Sequence, residues 1–161
     1  LAGEVRDLAQ LASRINSYLS GATADNWFAT FAMTRISPEG EVRAVNAGHL
    51  PLLVRRLDGS VEEIVSSGLP LGILEAATYT ESSTHLEPGE FLVLFTDGVT
   101  EAEDPDEEEF GVERVKDIVT GLAEPTADGL SDAILQAVDK HLRGCSLQDD
   151  STLLVVERLS D

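Results

Sequence analysis

The sequence predicts an α+β fold dominated by antiparallel sheet, and three observations predict it. One amphipathic helical pattern opens the chain, and two more lie together near its end. Between them runs a series of short strand-like segments separated by turn dipeptides, the spacing of hairpins rather than of strand–helix–strand units. Two apolar runs, residues 91–96 and 151–157, bracket the late helices and have the length of buried strands.

The elements follow in order. Val5, Leu8, Leu11, Ala12, Ile15, Tyr18 and Leu19 recur at helical spacing, so residues 3–20 form a helix, with Gly21 as its stop. Residues 27–36 change to aromatic, Thr and small apolar residues and read as a strand. Ser37-Pro38-Glu39-Gly40 turns the chain, and residues 41–47 return. Residues 52–57 and 61–65 repeat the hairpin around Asp58-Gly59. Gly68, Pro70 and Gly72 mark residues 67–74 as a loop, and 78–86 reads as a strand that stops at Glu87-Pro88-Gly89-Glu90. After the 91–96 strand come eight acids and no base in residues 101–113, an exposed loop or short helix. Helices over 112–122 and 128–142 follow, the second with Asp128 as a candidate N-cap, and 151–157 closes the chain as a buried strand.

Length and composition bound what such a fold can do. At 161 residues the chain reads as a single domain, 1–161, with no internal repeat or dividing linker. Its 42% hydrophobic and 25% charged residues are those of a globular protein. With 30 Asp and Glu against 11 Lys and Arg the net charge is -19, which argues against a nucleic-acid or anionic-membrane binder, since phosphate recognition needs a basic footprint. Phosphate binding by so acidic a chain requires a bound cation. Cys145 is the only cysteine, so no internal disulfide forms; without an apolar run of membrane-spanning length or a signal-peptide pattern, the expected compartment is the cytoplasm. The first residue is Leu1 rather than Met, so the chain reads as a piece of something longer.

The candidate chemistry lies at the ends of the two apolar strands. The first runs into Asp97-Gly98, and Asp149-Asp150 runs into the second. If the two strands are antiparallel neighbours, Asp97 and Asp149 meet on one edge of the sheet. Converging carboxylates without a nearby Lys or Arg repel, and a divalent cation relieves the repulsion; oxygen-only ligation favours Mg²⁺ or Mn²⁺. Asp-Gly is equally a turn dipeptide, so the spacing by itself leaves both readings open. In a strand, Asp149 and Asp150 would point to opposite faces, so one of them belongs to any site. His49, in Asn46-Ala47-Gly48-His49, reads as a hydrogen-bonded turn residue before it reads as a base. His85 and His141 read as surface residues. Cys145 has Arg143 as its one cationic neighbour and no His nearby, and Ser66-Ser67-Gly68 lacks a nucleophile-elbow pattern, so covalent catalysis is not indicated.

Taken together, Gly40–Pro51 (GEVRAVNAGHLP), Gly68-Leu-Pro-Leu-Gly72, Phe95-Thr-Asp-Gly-Val-Thr-Glu101, Glu109-Phe-Gly111 and Asp149-Asp-Ser-Thr-Leu-Leu-Val155 resemble the SpoIIE/RsbU branch of the PPM family. These are bacterial metal-dependent Ser/Thr protein phosphatases similar to protein phosphatase 2C. The resemblance implies an antiparallel β-sandwich flanked by helices, in α-β-β-α layers, around a binuclear Mn²⁺ or Mg²⁺ centre. It implies that Asp97 and Asp149 are metal ligands and the catalytic pair, with Gly98, Asp150, Asn46 and His49 supporting them. The metals would polarise the phosphoryl oxygens and acidify a bridging water that attacks phosphorus in line, with no phosphoenzyme.

The family's first half also carries a Gly-Asp strand motif and an Asp-x-Ser-Gly-Lys-Gly motif, and neither occurs here. The chain enters the pattern at the second of two helices, before Asp25-Asn-Trp-Phe28, so the N-terminal strands are expected to be missing. By itself the chain is then expected to be inactive, or to bind one metal weakly. Uncovered sheet edges would favour a homodimer. The expected substrate is a phosphoserine or phosphothreonine on an anti-anti-sigma-type regulatory protein. The alternatives are a non-catalytic phosphatase-like interaction module, or an unrelated divalent-cation-binding domain.

Overall fold

The computed structural model describes residues 7–22 and 27–160. They form four helices and seven strands, α1 (Leu8–Ala22), β1 (Phe31–Ile36), β2 (Glu41–Ala47), β3 (Leu52–Arg55), β4 (Val61–Ile64), β5 (Ser82–His85), β6 (Phe91–Phe95), α2 (Asp97–Thr100), α3 (Val112–Gly121), α4 (Ala127–Leu142) and β7 (Leu153–Glu157). The strands make two antiparallel sheets, ordered β1-β2-β5 and β4-β3-β6-β7. The chain divides into two compact units. One comprises residues 1–51 and 64–85, the other residues 52–63 and 86–161.

In the first unit, α1 lays Leu8 and Ala12 on a core with Val45, Ala47, Leu71 and Tyr79. The start of the predicted helix lies outside the described residues, and its end differs. Gly21 does not stop α1, which continues through it to Ala22. Among the described residues, nothing lies within 4 Å of where a Gly21 side chain would begin. β1 begins at Phe31, later than the aromatic pattern implies, and Trp27 and Phe28 are left 72% and 62% exposed. The Ser37–Gly40 turn forms as expected, Gly40 adopting φ 93° and donating its N–H to the Ser37 carbonyl. Of the 78–86 pattern only Ser82–His85 pairs, in register with Glu41–Ala44 of β2.

In the second unit, Arg56 N–H to Ser60 O and Gly59 N–H to Arg56 O close the β3–β4 hairpin at Asp58-Gly59. β6 is the buried strand its sequence predicts, with Phe91, Leu92, Val93 and Phe95 all buried. β7 is not buried, because it is the edge strand of its sheet, and Leu154 is 52% exposed. Its outward face is apolar without being core, which a short apolar run cannot reveal. α4 packs on β7, and α3 packs on α4 and β3, burying Val115 and Val119 from α3 and Leu130, Ile134, Val138 and Leu142 from α4 at i, i+4 spacing. The N-cap of α4 is Thr126 rather than Asp128; its hydroxyl accepts the Gly129 N–H at 3.0 Å. Asp128 lies inside the first turn, where its charge suits the helix dipole.

Candidate functional site

β6 and β7 are antiparallel neighbours in the register Phe91↔Glu157 to Phe95↔Leu153. Beyond that ladder Thr96 takes over. Its N–H donates to the Thr152 carbonyl at 3.0 Å, and its hydroxyl accepts the Thr152 N–H at 2.9 Å and reaches the Asp150 carbonyl at 3.3 Å. This stitching brings Asp97, the first residue of α2, beside the segment that carries Asp149 and Asp150. A strand cannot continue through Asp97. Its carbonyl accepts the Glu101 N–H at 2.7 Å, and its carboxylate Oδ1 accepts the Gly98 N–H at 3.0 Å, so the backbone turns at once into α2. Asp149 does the same for Asp150, accepting its N–H at 2.7 Å. Both aspartates are exposed.

Gly98 is fixed by space. A Cβ built on it would sit 2.5 Å from the Asp150 carbonyl oxygen and 3.2 Å from that of Asp149, a collision with backbone that cannot yield cheaply. The glycine permits the close approach of the two segments. Asp149 and Asp150 lie in a bend ahead of β7, so the strand alternation expected of them does not apply.

A cavity of about 190 Å³ opens beside this junction, lined by Gly98, Glu101, Glu103, Glu109, Gln148 and Asp149. Four carboxylates and no Lys or Arg face it. The acidic loop is therefore not merely solvated surface. It folds back through a bridge between Glu103 and Glu109, buries Ala102 and Phe110, and presents carboxylates toward the Asp149 side. The tip is pinned by Asp104, whose Oδ1 accepts the N–H groups of Asp106 and Glu108 and whose Oδ2 takes Arg143 at 2.6 Å. Burial pushes the Asp104 carboxyl up, but those amides and the guanidinium outweigh it and hold it below the usual range. His141 has a partner after all: its Nε2 lies 2.8 Å from the Glu108 carbonyl, and its ring meets Phe110 edge-on at 5.4 Å.

Among the described residues, no three His, Cys, Asp or Glu side chains converge as a set that could hold a metal ion. The side chains that line the cavity are four carboxylates and Gln148, without Lys or Arg. Carboxylate oxygens are the donors that hard divalent ions such as Mg²⁺ or Mn²⁺ take, with water completing the shell. These side chains do not make a binuclear centre.

Asn46 and His49 lie in the other unit, where they organise a turn. Buried Asn46 donates from Nδ2 to the carbonyls of Leu50 (2.9 Å) and Ile64 (3.3 Å), and its Oδ1 accepts the His49 N–H at 2.9 Å. His49 is the hydrogen-bonded turn residue its context predicts, Nδ1 lying 3.2 Å from the Leu50 carbonyl. Gly48, at φ 70°, would carry a Cβ 2.3 Å from Pro70 Cγ, so the 46–49 and 68–72 motifs interlock through a glycine–proline contact. Sequence reasoning missed Asn16, a fully buried side chain on α1 that bonds the Leu74 and Glu75 carbonyls and the Gly72 N–H. It also missed Thr96 and Arg143. An Asn on the apolar stripe of α1 was the available signal for the first.

Two antiparallel sheets with helices in this arrangement are those of the PPM, or PP2C-like, class of phosphatase domain. The model of the family described as Stage II sporulation protein E (SpoIIE) matches residues 1–159, and the chain belongs to that family. It is 34% identical over 146 residues to Protein IcfG of Synechocystis sp., covering 89% of this chain and 23% of that protein. It is 31% identical over 121 residues to phosphoserine phosphatase RsbU of Bacillus subtilis, covering 70% and 33%. The phosphatase domain of the cell fate determinant SpoIIE from Bacillus subtilis, solved after presoaking with Mn, superimposes with a TM-score of 0.71 at 23% identity, covering 100% of this chain and 76% of that one. The chain thus spans between 17% and 33% of the length of the curated relatives it matches. Among the described residues no helix is long and apolar enough to cross a membrane.

Proposed function

We propose that the chain is the Asp97- and Asp149-bearing part of a metal-dependent protein serine/threonine phosphatase. Its substrate is a phosphoserine or phosphothreonine on a small regulatory protein of the anti-anti-sigma type, in the cytoplasm and away from nucleic acid and membrane. The reading is carried by the close approach of Gly98, the neighbour of Asp97, to the backbone of Asp149 and Asp150 at one end of the β6–β7 pair, beside a cavity walled by carboxylates that include Asp149. Membership of a family that includes a phosphoserine phosphatase supports it.

Asp97 and Asp149 would hold the ion, Gly98 lets their segments approach, and Thr96 with Asp150 fixes the approach; Asn46 and His49 shape a turn in the other unit. A Mn²⁺ or Mg²⁺ ion bound there supplies Lewis acidity, offsetting the charge of the phosphoryl oxygens and acidifying water. Water adds to phosphorus as the ester P–O bond breaks; the attacking water gives up a proton and the departing serine or threonine oxygen takes one up, leaving the alcohol and inorganic phosphate. The net charge of -19 makes the cation obligatory, because a phosphate dianion has no basic groove to enter.

The absence, among the described residues, of a group of three or more His, Cys, Asp or Glu placed to hold a metal ion favours a second reading, a phosphatase-like interaction module without turnover. Mn²⁺-dependent hydrolysis of p-nitrophenyl phosphate by the protein as its gene encodes it separates the two. The phosphatase reading expects activity that Asp97→Asn lowers by about 100-fold or more. No activity in the unchanged protein favours the module, and equal activity in the variant overturns the assignment of Asp97. For the assembly we propose a homodimer through the β1 edge, where an edge strand lies beside exposed aromatic side chains.

A further inference from the structure

Arg143 combines two features that rarely coincide. It caps the C-terminus of α4 with φ 47°, a left-handed conformation that glycine adopts freely and arginine does not. The next residue, Gly144, is also left-handed at φ 94°. From this position the Arg143 guanidinium reaches Asp104 Oδ2 at 2.6 Å and Asp106 Oδ2 at 2.5 Å. Exposed ion pairs usually hold little, but the Asp104 side chain is only 10% exposed and already accepts two amides. The pair therefore closes a built network. A costly backbone conformation retained at a residue whose side chain completes such a network points to a use for that side chain.

The connectivity shows what is tied to what. Arg143 begins the segment that delivers Gln148 and Asp149 to β7. Asp104 and Asp106 form the tip of the loop whose base delivers Glu101, Glu103 and Glu109 to the same cavity. We propose that Arg143 is a positioning residue, a clamp that locks the acidic loop to the Asp149 connection and so sets the cavity's carboxylate wall against Asp149. The proposal rests on the reading of Asp149 as a metal ligand.

The test uses Arg143→Gly, Arg143→Lys and Asp104→Asn in the 161-residue chain. Free Mn²⁺ is counted by electron paramagnetic resonance, amide hydrogen exchange is followed over residues 101–111 and 143–150, and metal-free melting is recorded. Arg143→Gly removes the clamp while suiting the left-handed backbone. The expected result is Mn²⁺ binding weakened about tenfold and faster exchange in both segments, with no comparable loss of melting temperature. Arg143→Lys restores part of the affinity, and Asp104→Asn mimics Arg143→Gly. Unchanged exchange in Arg143→Gly overturns the clamp. Unchanged Mn²⁺ affinity despite faster exchange overturns its role at the site, and loss of affinity only in step with melting temperature reduces Arg143 to a structural residue. If the unchanged chain binds no Mn²⁺, the metal reading of Asp97 and Asp149 fails, and the exchange data decide the clamp by themselves.

Discussion

Away from the site, Glu90 is one of two buried charged residues among those described. It is buried, and it binds Arg56 at 2.8 Å through Oε2 while accepting the N–H groups of Glu87 and Leu57. Burial pushes its carboxyl up, yet the two amides and the guanidinium together hold it below the usual range. The sign follows: its contribution is complete above the unfolded carboxyl value of about 4.3 and is lost as pH falls through the lower folded value. Glu90→Gln should therefore cost about 1.5–3 kcal/mol at pH 7 in urea unfolding, and the difference from the unchanged chain should shrink toward pH 3. A difference that does not change with pH would show that packing, not charge, holds Glu90 in place. Its place in the sequence, Glu87-Pro88-Gly89-Glu90, reads only as a turn, because the partner that makes it matter lies 34 residues away.

At the scale of elements, helix ends are where the sequence says least and the structure most. α3 ends at Gly121, and its last carbonyls are met by buried Arg55 of β3, with Nε to Val119 O at 2.7 Å and Nη2 to Leu122 O at 2.8 Å. This is a charge-assisted cap on the negative end of a helix dipole, supplied by a neighbouring strand. Arg55→Leu keeps the strand apolar but leaves those carbonyls without their donor. It should cost about 1.5–3 kcal/mol in equilibrium unfolding, with faster amide exchange confined to the end of α3. A neutral substitution would mean that water replaces the guanidinium there. Periodicity located α3 and α4 to within a residue or two, and turn chemistry located the hairpins at 37–40 and 58–59. Neither could name Arg55 or Thr126 as caps, nor show that Gly21 stays helical, because those depend on which group lies opposite.

For the whole molecule, a net charge of -19 opposes self-association, while the exposed β1 edge with Trp27 and Phe28 favours it. The two effects separate with salt, since screening shortens the reach of repulsion from about 30 Å at 0.01 M to about 8 Å at 0.15 M. Light scattering should therefore show a mass that rises toward twice the chain's as NaCl is added, and a monomer at high concentration in 0.15 M salt would remove the dimer. The sequence by itself determined the α+β class, the buried β6 strand, the helices α1, α3 and α4 and the two Asp-bearing strand ends, because period and turn residues are local properties that survive tertiary packing. It also carried the family, through motifs whose order is visible without coordinates. Only the tertiary structure decided that β7 is an edge strand, that Gly98 is demanded by the Asp150 carbonyl, and that His141 and Arg143 hold the acidic loop. Those outcomes are set by contacts between residues tens of positions apart, so no window of sequence contains them. The same structure changes the meaning of the charge: most of it remains solvated surface, but Glu101, Glu103, Glu109 and Asp149 are gathered by the chain's path around one cavity.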